Sequence, residues 1–285
     1  MQYRFARFPE GRAKAFTASY DDGSRFDRKL LDIMNGAGIK CTLNINGGFT
    51  DSNDGWHLTA EELAAIADGG GHEIAQHCAH HIAPGLASSC TVMREVLLGR
   101  QMLERQFHRI VRGMAYPDSG ILRTFSTDYA TVRRILQEAG VAYSRSLGGD
   151  NDAFLLPEDW YNWVPTAHHE NAHLFEWLDA FVSADTENRP LPSQQPLLFY
   201  LWGHSFEFDN RNNWDRLEAI CEKAGGRADV WYATNLEIRD YMAAYDALQF
   251  DVDETRVYNP SRVPVWFVAD RKTYAVGAGE TLSLS

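Results

Sequence analysis

The sequence predicts an α/β protein in which about seven strand–helix units form an incompletely closed barrel. Three observations lead to this prediction. Short apolar, strand-like runs alternate with helical patterns, several helical patterns end at glycine, and polar residues repeatedly follow the strand-like runs. This alternation is typical of a mostly parallel sheet whose strands are joined by helices. The length of 285 residues is one that single α/β barrels commonly reach.

The predicted strands are short and mostly apolar. The strand at 39–46 differs, because Thr42, Asn44 and Asn46 alternate with apolar residues and give it one polar face. The predicted strands are 13–20, 39–46, 72–76, 111–116, 141–146, 197–202 and 230–232.

Helix signals separate these strands. Thr59 and Glu62 form a capping box that predicts the start of a helix, and the glycines at 69–71 predict its end. The segment 147–170 is rich in loop-forming residues and gives no clear element. The predicted helices are 25–35, 59–69, 88–109, 128–138, 213–224 and 235–247.

The predicted barrel domain covers residues 1–256. Residues 257–285 contain Pro260, Pro264 and two runs rich in β-forming residues, which predicts a short C-terminal β extension packed on the barrel. No repeat or low-complexity tract interrupts the chain.

Composition narrows the function. Hydrophobic residues make up 45% of the chain and charged residues 23%, which is typical of a soluble globular protein with a large core. The net charge of −12 and the lack of a basic run argue against nucleic acid or a membrane as partner. No 18-residue apolar run and no apolar leader are present, so we expect a cytoplasmic protein unless a leader was removed. The four cysteines are scattered along the chain, which predicts reduced thiols. The sequence leaves the oligomeric state open.

Two segments contain the residue types that bind catalytic divalent metals. Asp21 and Asp22 precede Gly23 directly after the first predicted strand, and His77 and His81 follow the third. On a helical turn, histidines four residues apart point the same way. Zinc hydrolases commonly use three such ligands and leave a position open for water. Together, the two segments predict metal-dependent hydrolysis.

The candidate residues share a position relative to the strands. Each lies at the carboxyl end of a predicted strand, where α/β barrels form their active sites. This shared placement favours one site over unrelated surface residues. The residues are Asp21, Asp22, His77, Pro117, Arg145 and His204.

These motifs resemble those of the polysaccharide deacetylases of carbohydrate esterase family four, the NodB-like domains. The resemblance covers about residues 16–232 and implies a distorted (β/α) barrel. It also implies a hydrolase that acts on carbon–nitrogen bonds other than peptide bonds and removes an acyl group from an N-acylated carbohydrate. The matching motifs are Tyr20-Asp21-Asp22-Gly23, the pair His77 and His81, the loop at 115–120, and Leu201-Trp202-Gly203-His204.

The resemblance implies a metal site and its ligands. Asp22, His77 and His81 would bind one divalent ion, with zinc favoured by the donor set and cobalt, nickel or iron fitting the same donors. His80, three residues after His77, is a competing ligand, and the family spacing selects His81.

The resemblance also implies catalytic roles. Asp21 would be the general base and His204 the general acid. A backbone N–H near Tyr116 would hold the carbonyl oxygen of the substrate, whereas Pro117 can only shape that loop because proline has no N–H.

Two departures from the family pattern are visible. Ala115 stands two residues before Pro117, where family members often have an arginine that orients the base. Arg145, at the end of the neighbouring predicted strand, is the candidate replacement. The aspartate that pairs with the acid histidine has no clear match, and Asp159 is the candidate.

Aromatic residues near the motifs suit stacking on sugar rings. We expect Trp160 and Phe206 to line the pocket, and His168 is a further candidate beside it. Three functions remain open at this stage. They are deacetylation of a carbohydrate, hydrolysis of another small amide such as a cyclic amide or imide, and glycan binding by a catalytically inactive relative.

Overall fold

The structure, a computed structural model, describes residues 3–52, 54–147 and 149–284. The strands are β1 Arg4–Arg7, β2 Lys14–Asp21, β3 Cys41–Ile45, β4 Glu73–Gln76, β5 Gly113–Ala115, β6 Tyr143–Arg145, β7 Ala167–His168, β8 Leu197–Gly203, β9 Val230–Tyr232, β10 Gln249–Phe250, β11 Arg256–Tyr258, β12 Val265–Ala269, β13 Lys272–Val276 and β14 Thr281–Ser283. The α-helices are α1 Asp27–Gly36, α2 Ala60–Gly70, α3 Ser89–Phe107, α4 Tyr129–Glu138, α5 Leu174–Ser183, α6 Ser205–Asn210, α7 Trp214–Ala224 and α8 Asn235–Asp246.

A parallel sheet forms the centre of the molecule. Its strand order is β6-β5-β4-β3-β2-β8-β7, and β9 pairs with β2. β8 pairs with β2 from Lys14 to Tyr20, so β9 and β3 share the other edge, beside the first and second halves of β2. The sheet curls into a half-barrel, which confirms the predicted distorted (β/α) barrel.

Alternation along β2 divides its side chains between two environments. Phe16, Ala18 and Tyr20 belong to the core that the sheet forms with the surrounding helices. Thr17 and Asp21, on the other face, hydrogen-bond to polar side chains of neighbouring elements. All eight residues of β2 are buried, so its polar face lies inside the protein. The polar face predicted for β3 is confirmed, because Asn44 and Thr42 hydrogen-bond within this interior.

Two small antiparallel sheets accompany the barrel. Their strand orders are β1-β12-β13 and β10-β11-β14. β1 pairs with β12 in the register Arg4 to Ala269, so the two ends of the chain meet in one sheet. The boundary at residue 256 stays a prediction, and the N-terminal strand in this sheet is a feature that the sequence did not reveal.

Two further features concern the cysteines and the helices. Cys41, Cys78, Cys90 and Cys221 are free thiols. No helix in the described part of the chain combines the length and the apolar character that crossing a membrane requires.

A buried carboxylate ties the amino ends of the strands to α8. Glu73 accepts hydrogen bonds from the hydroxyls of Thr42 at 2.9 Å and Tyr143 at 2.8 Å and from the Leu236 N–H at 2.9 Å. A cavity of about 960 Å³ opens at this end, with Trp231 among its lining residues. Burial raises the pKa of Glu73 to about 7, although the three hydrogen bonds oppose this change.

We predict that Glu73→Gln changes how stability depends on pH. Because the raised pKa means that folded Glu73 binds its proton more tightly than the unfolded chain, its contribution is fully present below about pH 4.5 and is lost as the pH rises to about 7. The change amounts to at most about 3 kcal/mol in the free energy of unfolding. Chemical denaturation across this range should show a decline for the wild type that the variant lacks. Parallel curves for the two proteins would contradict the prediction.

Candidate active site

The site begins at a sharp turn after β2. Asp21 is the last residue of β2, and Asp22 and Gly23 both have left-handed backbone conformations, with φ of 79° and 68°. The left-handed turn ends the strand alternation, which would otherwise send neighbouring side chains to opposite faces. Both carboxylates therefore approach the same histidine: His77 Nε2 lies 4.0 Å from Asp21 Oδ2 and 3.7 Å from Asp22 Oδ1. Gly23 permits this turn, which begins at Asp22.

His77 and His81 meet through a loop, so the predicted helical turn is wrong. Cys78 and His81 adopt left-handed conformations with φ of 58° and 56°, which a helix excludes. The two imidazole centroids are nevertheless 5.0 Å apart. Backbone turns in the loop after β4, and not a helix, therefore bring the two imidazoles together.

The donor atoms of Asp22, His77 and His81 have the spacing of a metal site. Asp22 Oδ1 lies 3.5 Å from His81 Nε2 and 3.7 Å from His77 Nε2, and all three ligand atoms lie within 4.8 Å of one another. Tetrahedral ligands at zinc bond lengths are separated by about 3.4 Å. Asp22 Oδ1 is buried and has no hydrogen-bond partner among the described residues. The residues therefore fit a divalent cation.

A backbone contact sets the tautomer of His77. Its Nδ1 donates a hydrogen bond to the carbonyl oxygen of Ala115 at 2.9 Å, which leaves the Nε2 lone pair facing Asp22. Burial lowers the pKa of His77 despite the nearby aspartates, which favours the neutral ring that metals require. Asn46 also donates to the His77 carbonyl oxygen, so the third polar residue of the β3 pattern helps to fix this ligand.

His80 lies away from the metal donors. Its backbone N–H and its Nδ1 contact the Glu95 carboxylate at 2.9 Å and 3.0 Å. The geometry therefore favours His81 over His80 as the metal ligand. The histidine spacing of the deacetylase family implies the same choice.

Asp21 is buried, and its charge is compensated. Arg145 donates to Asp21 Oδ2, and Asn44 donates to Oδ1 at 2.8 Å. Burial alone would raise the pKa of Asp21, but Arg145, together with the imidazoles of His77 and His204, holds it below the ordinary value. The structure thus brings Arg145, the candidate replacement for the missing arginine, into contact with the candidate base.

His204 faces the aspartates from the opposite side. Its Nε2 lies 3.9 Å from Asp21 Oδ2 and 4.0 Å from Asp22 Oδ2, and its Nδ1 lies 3.6 Å from Glu207 Oε2. Burial disfavours the charged ring, but Glu207 and the two aspartates outweigh this and raise the pKa of His204. An ionised carboxylate therefore stands on each side of this imidazole.

Glu207 also contacts two further histidines. Its Oε2 lies 3.0 Å from His168 Nε2 and 3.1 Å from His169 Nε2. Burial would raise the pKa of Glu207, but the three imidazoles hold it far below the ordinary value. Glu207, and not Asp159, is thus the carboxylate beside His204; Asp159 contacts Tyr129 at 2.5 Å and Arg133 at 3.7 Å.

His168, His204 and Glu207 also lie close enough to hold a cation, but one hydrogen bond argues against it. The Glu170 N–H donates to His168 Nδ1 at 3.2 Å, so that nitrogen carries no proton. The ring proton is then on Nε2, 3.0 Å from Glu207 Oε2, which leaves no lone pair for a metal there. We therefore interpret this group as an electrostatic cluster of imidazoles around one carboxylate.

Two predicted site residues, Tyr116 and Trp160, need correction. The Tyr116 N–H donates to the Arg145 carbonyl oxygen at 3.0 Å, so it is engaged and is not a free oxyanion donor. Pro117 does shape the loop, since its carbonyl oxygen accepts from the Gly120 N–H at 2.9 Å. Trp160 packs on Trp163 and under Arg239, which donates to the Ala142 carbonyl oxygen just before β6. It does not line the site.

Phe206 packs beside His204, and its role in lining a substrate pocket stays a prediction. Its ring centroid is 5.2 Å from that of His204 and 5.5 Å from that of Trp56. The two aromatic residues form an apolar wall beside the candidate acid.

Residues 9–143 match a family model described as polysaccharide deacetylase. The matched segment contains Asp21, Asp22, His77 and His81 in the geometry given above. This segment, a little under half of the chain, is therefore similar to polysaccharide deacetylases, in agreement with the resemblance seen in the motifs. Arg145 and His204 lie beyond the matched residues, so their roles rest on geometry.

The chain is also similar to several solved structures. A Mycobacterium smegmatis protein described as a polysaccharide deacetylase is 17% identical with a TM-score of 0.58, and the match covers 86% of this chain and 96% of that one. The Streptococcus pyogenes deacetylase PplD in complex with acetate is 17% identical with a TM-score of 0.42, and the match covers 46% of this chain and 55% of that one. A CE4 family pseudoenzyme from Bacillus anthracis is 14% identical with a TM-score of 0.48, and the match covers 83% of this chain and 68% of that one. No curated protein sequence matches the chain.

Sequence reasoning missed several residues of this deacetylase-like site. Glu207 stands three residues after His204, and Glu95 comes from α3, so neither lies in a recognised motif. Asp27 is a third buried carboxyl group, to which Ser205 donates at 2.5 Å. Burial raises the pKa of Asp27 to about 8, so it adds no third negative charge beside the aspartates at neutral pH.

We predict that His81→Ala weakens Zn²⁺ binding by more than about 100-fold, because loss of a ligand should exceed the effect of losing an outer-shell partner. Titration of metal-free protein against a chromogenic chelator measures this affinity. The matched control is His173→Ala, since His173 is an exposed histidine paired with Glu176 at 3.2 Å. Equal affinity in His81→Ala and wild type would contradict the assignment of His81.

Proposed function

We propose that the protein is a metal-dependent hydrolase that removes an acetyl group from an N-acetylated carbohydrate. One observation carries the proposal. Asp22 lies between His77 and His81, Asp21 is held by the buried Arg145, and His204 faces both aspartates, with each aspartate–histidine distance at 4.0 Å or less. This arrangement provides separate groups for metal binding, proton removal and proton delivery.

Asp22, His77 and His81 would hold the cation. Such an ion supplies Lewis acidity that makes water more acidic and polarises the amide carbonyl group. The remaining steps belong to the side chains around it.

Asp21 serves as the general base. Its low pKa keeps it ionised at neutral pH, and Asn44 and Arg145 fix its two oxygens in place. It takes the proton from the attacking water, a contribution of roughly 10²- to 10⁴-fold. The buried ion pair with Arg145 lets a carboxylate remain charged where burial would otherwise neutralise it.

His204 serves as the general acid. Its raised pKa favours the protonated ring, and its Nε2 faces the aspartates where the amide bond would lie. Glu207, at the Nδ1 side, orients the ring and balances its charge. His204 gives its proton to the nitrogen of the leaving amine as the carbon–nitrogen bond breaks, and the acyl group leaves as a carboxylate.

The carbohydrate substrate follows from the family and from the site surroundings. Phe206 and Trp56 offer flat apolar surfaces next to His204, which suit the apolar faces of a sugar ring. The family match supports a carbohydrate as the substrate. A small cyclic amide is the alternative substrate, and a panel of both kinds of compound distinguishes the two.

The substrate test compares N-acetylated oligosaccharides with cyclic ureides, using protein reconstituted with Zn²⁺. We expect acetate release from the oligosaccharides only. Turnover confined to the ureides would replace the carbohydrate substrate, and binding of oligosaccharide without any turnover would identify an inactive relative.

We predict that Asp21→Asn lowers kcat/KM by about 10²- to 10⁴-fold while Zn²⁺ binding persists, since Asp21 acts as base and not as ligand. Steady-state acetate release together with metal titration measures both quantities. Loss of activity that follows entirely from loss of the metal would contradict the separate role of Asp21.

We predict that Arg145→Ala lowers kcat/KM at least about tenfold, because a buried Asp21 without its partner is less often ionised. The control is Arg133→Ala, which breaks a partly exposed pair with Asp159 away from the site. Unchanged kcat/KM in Arg145→Ala would remove the orienting role of this arginine.

A further inference from the structure

The metal-binding loop is held by a residue of α3. Three groups of the loop contact Glu95: the Ala79 N–H donates to its carbonyl oxygen at 3.2 Å, the His80 N–H to Oε2 at 2.9 Å, and His80 Nδ1 to Oε1 at 3.0 Å. Glu95 is only 7% exposed, so its carboxylate is committed to these contacts. Glu95 thus binds the middle of the loop that connects His77 and His81, through its backbone carbonyl oxygen at Ala79 and its side chain at His80.

The loop needs such support because its backbone is strained. Cys78 and His81 both adopt left-handed conformations, which L-residues other than glycine rarely populate. Strained backbones persist when the surrounding structure over-determines them. The contacts of Glu95 fall between these two residues, at Ala79 and His80.

Close packing brings Glu95 to the loop. Gly99, one helical turn further along α3, lies so near the loop that a Cβ there would stand 2.8 Å from the Cys78 carbonyl carbon and 2.9 Å from the Ala79 nitrogen. A glycine at this position therefore allows α3 to approach, and residues four apart on a helix share a face. The Gly99 contact and the Glu95 hydrogen bonds are two parts of one interface.

The same contacts explain why His80 is not a ligand. With Nδ1 on Glu95, the His80 ring turns toward Gly48 and Phe49, and its centroid is 6.3 Å from that of Phe49. His81, one residue on, then faces Asp22 at 3.5 Å. Anchoring one histidine sets the direction of the next.

We propose that Glu95 is a positioning residue that sets the affinity of the site for its cation by fixing the loop through His80. The inference rests on the proposed metal site. It adds Glu95, a residue of α3 that contacts none of the three donor atoms.

The test measures Zn²⁺ affinity by chelator competition and needs no substrate. Glu95→Ala should weaken Zn²⁺ binding by about 10- to 100-fold, as loss of outer-shell partners typically does. Glu95→Gln should lie between Glu95→Ala and wild type, because its amide oxygen can still accept from the His80 N–H. The adjacent control Arg94→Ala, an exposed position on α3, should bind like wild type.

A double-mutant cycle tests the path through His80. The Zn²⁺ affinity of Glu95→Ala/His80→Ala should be close to that of Glu95→Ala alone, because the two residues act through shared contacts. Wild-type affinity in Glu95→Ala, or losses that add fully in the double variant, would overturn the proposal. The proposed function fails on a different result, namely wild-type protein that binds Zn²⁺ but releases no acetate from any N-acetylated oligosaccharide.

Discussion

Keeping two adjacent carboxylates charged inside the protein is the constraint on which the rest of the site depends. Asp21 is 2% exposed, and its carboxylate shares the site with that of Asp22. Charges buried in this way require partners, since desolvation would otherwise neutralise them. Arg145 and Asn44 hold Asp21, whereas Asp22 Oδ1 has imidazoles on two sides and a lone pair without a hydrogen bond. The difference in partners gives two neighbouring aspartates different chemistry.

The barrel brings these partners together from distant parts of the chain. Because all strands of the central sheet are parallel, Asp21, Arg145 and the residues after β4 and β8 meet at the same edge. The helices then refine the site: α3 supplies Glu95 to the loop between His77 and His81, and α6 supplies Glu207 to His204. The strands therefore set which residues meet, and the helices set how they are oriented.

Local patterns predicted the fold well, because it depends on short stretches of sequence. Strand runs followed by helices specified the parallel sheet, and the acidic pair with His77 and His81 lies in the matched family segment. The helix Leu174–Ser183 was missed, and it starts without a side-chain cap, so the usual signal for a helix start is absent.

Contacts between distant residues were harder to predict. Nothing local to Glu95 or Glu207 shows which histidine each will contact, because the pairing depends on how α3 and α6 pack. Trp160 was wrongly placed for the same reason: an aromatic residue in an irregular segment does not indicate which end of a strand it will cover. The prediction for Tyr116 was wrong because its backbone N–H donates to the carbonyl oxygen of Arg145 on the neighbouring strand β6.

The most direct measurement is anomalous diffraction at the zinc edge from crystals of the protein loaded with Zn²⁺. The account predicts one strong peak within about 2.0–2.2 Å of Asp22 Oδ1 and of the Nε2 atoms of His77 and His81. It also predicts that no peak lies between His168 and Glu207. A peak at His168, His204 and Glu207 with none at Asp22 would contradict the account.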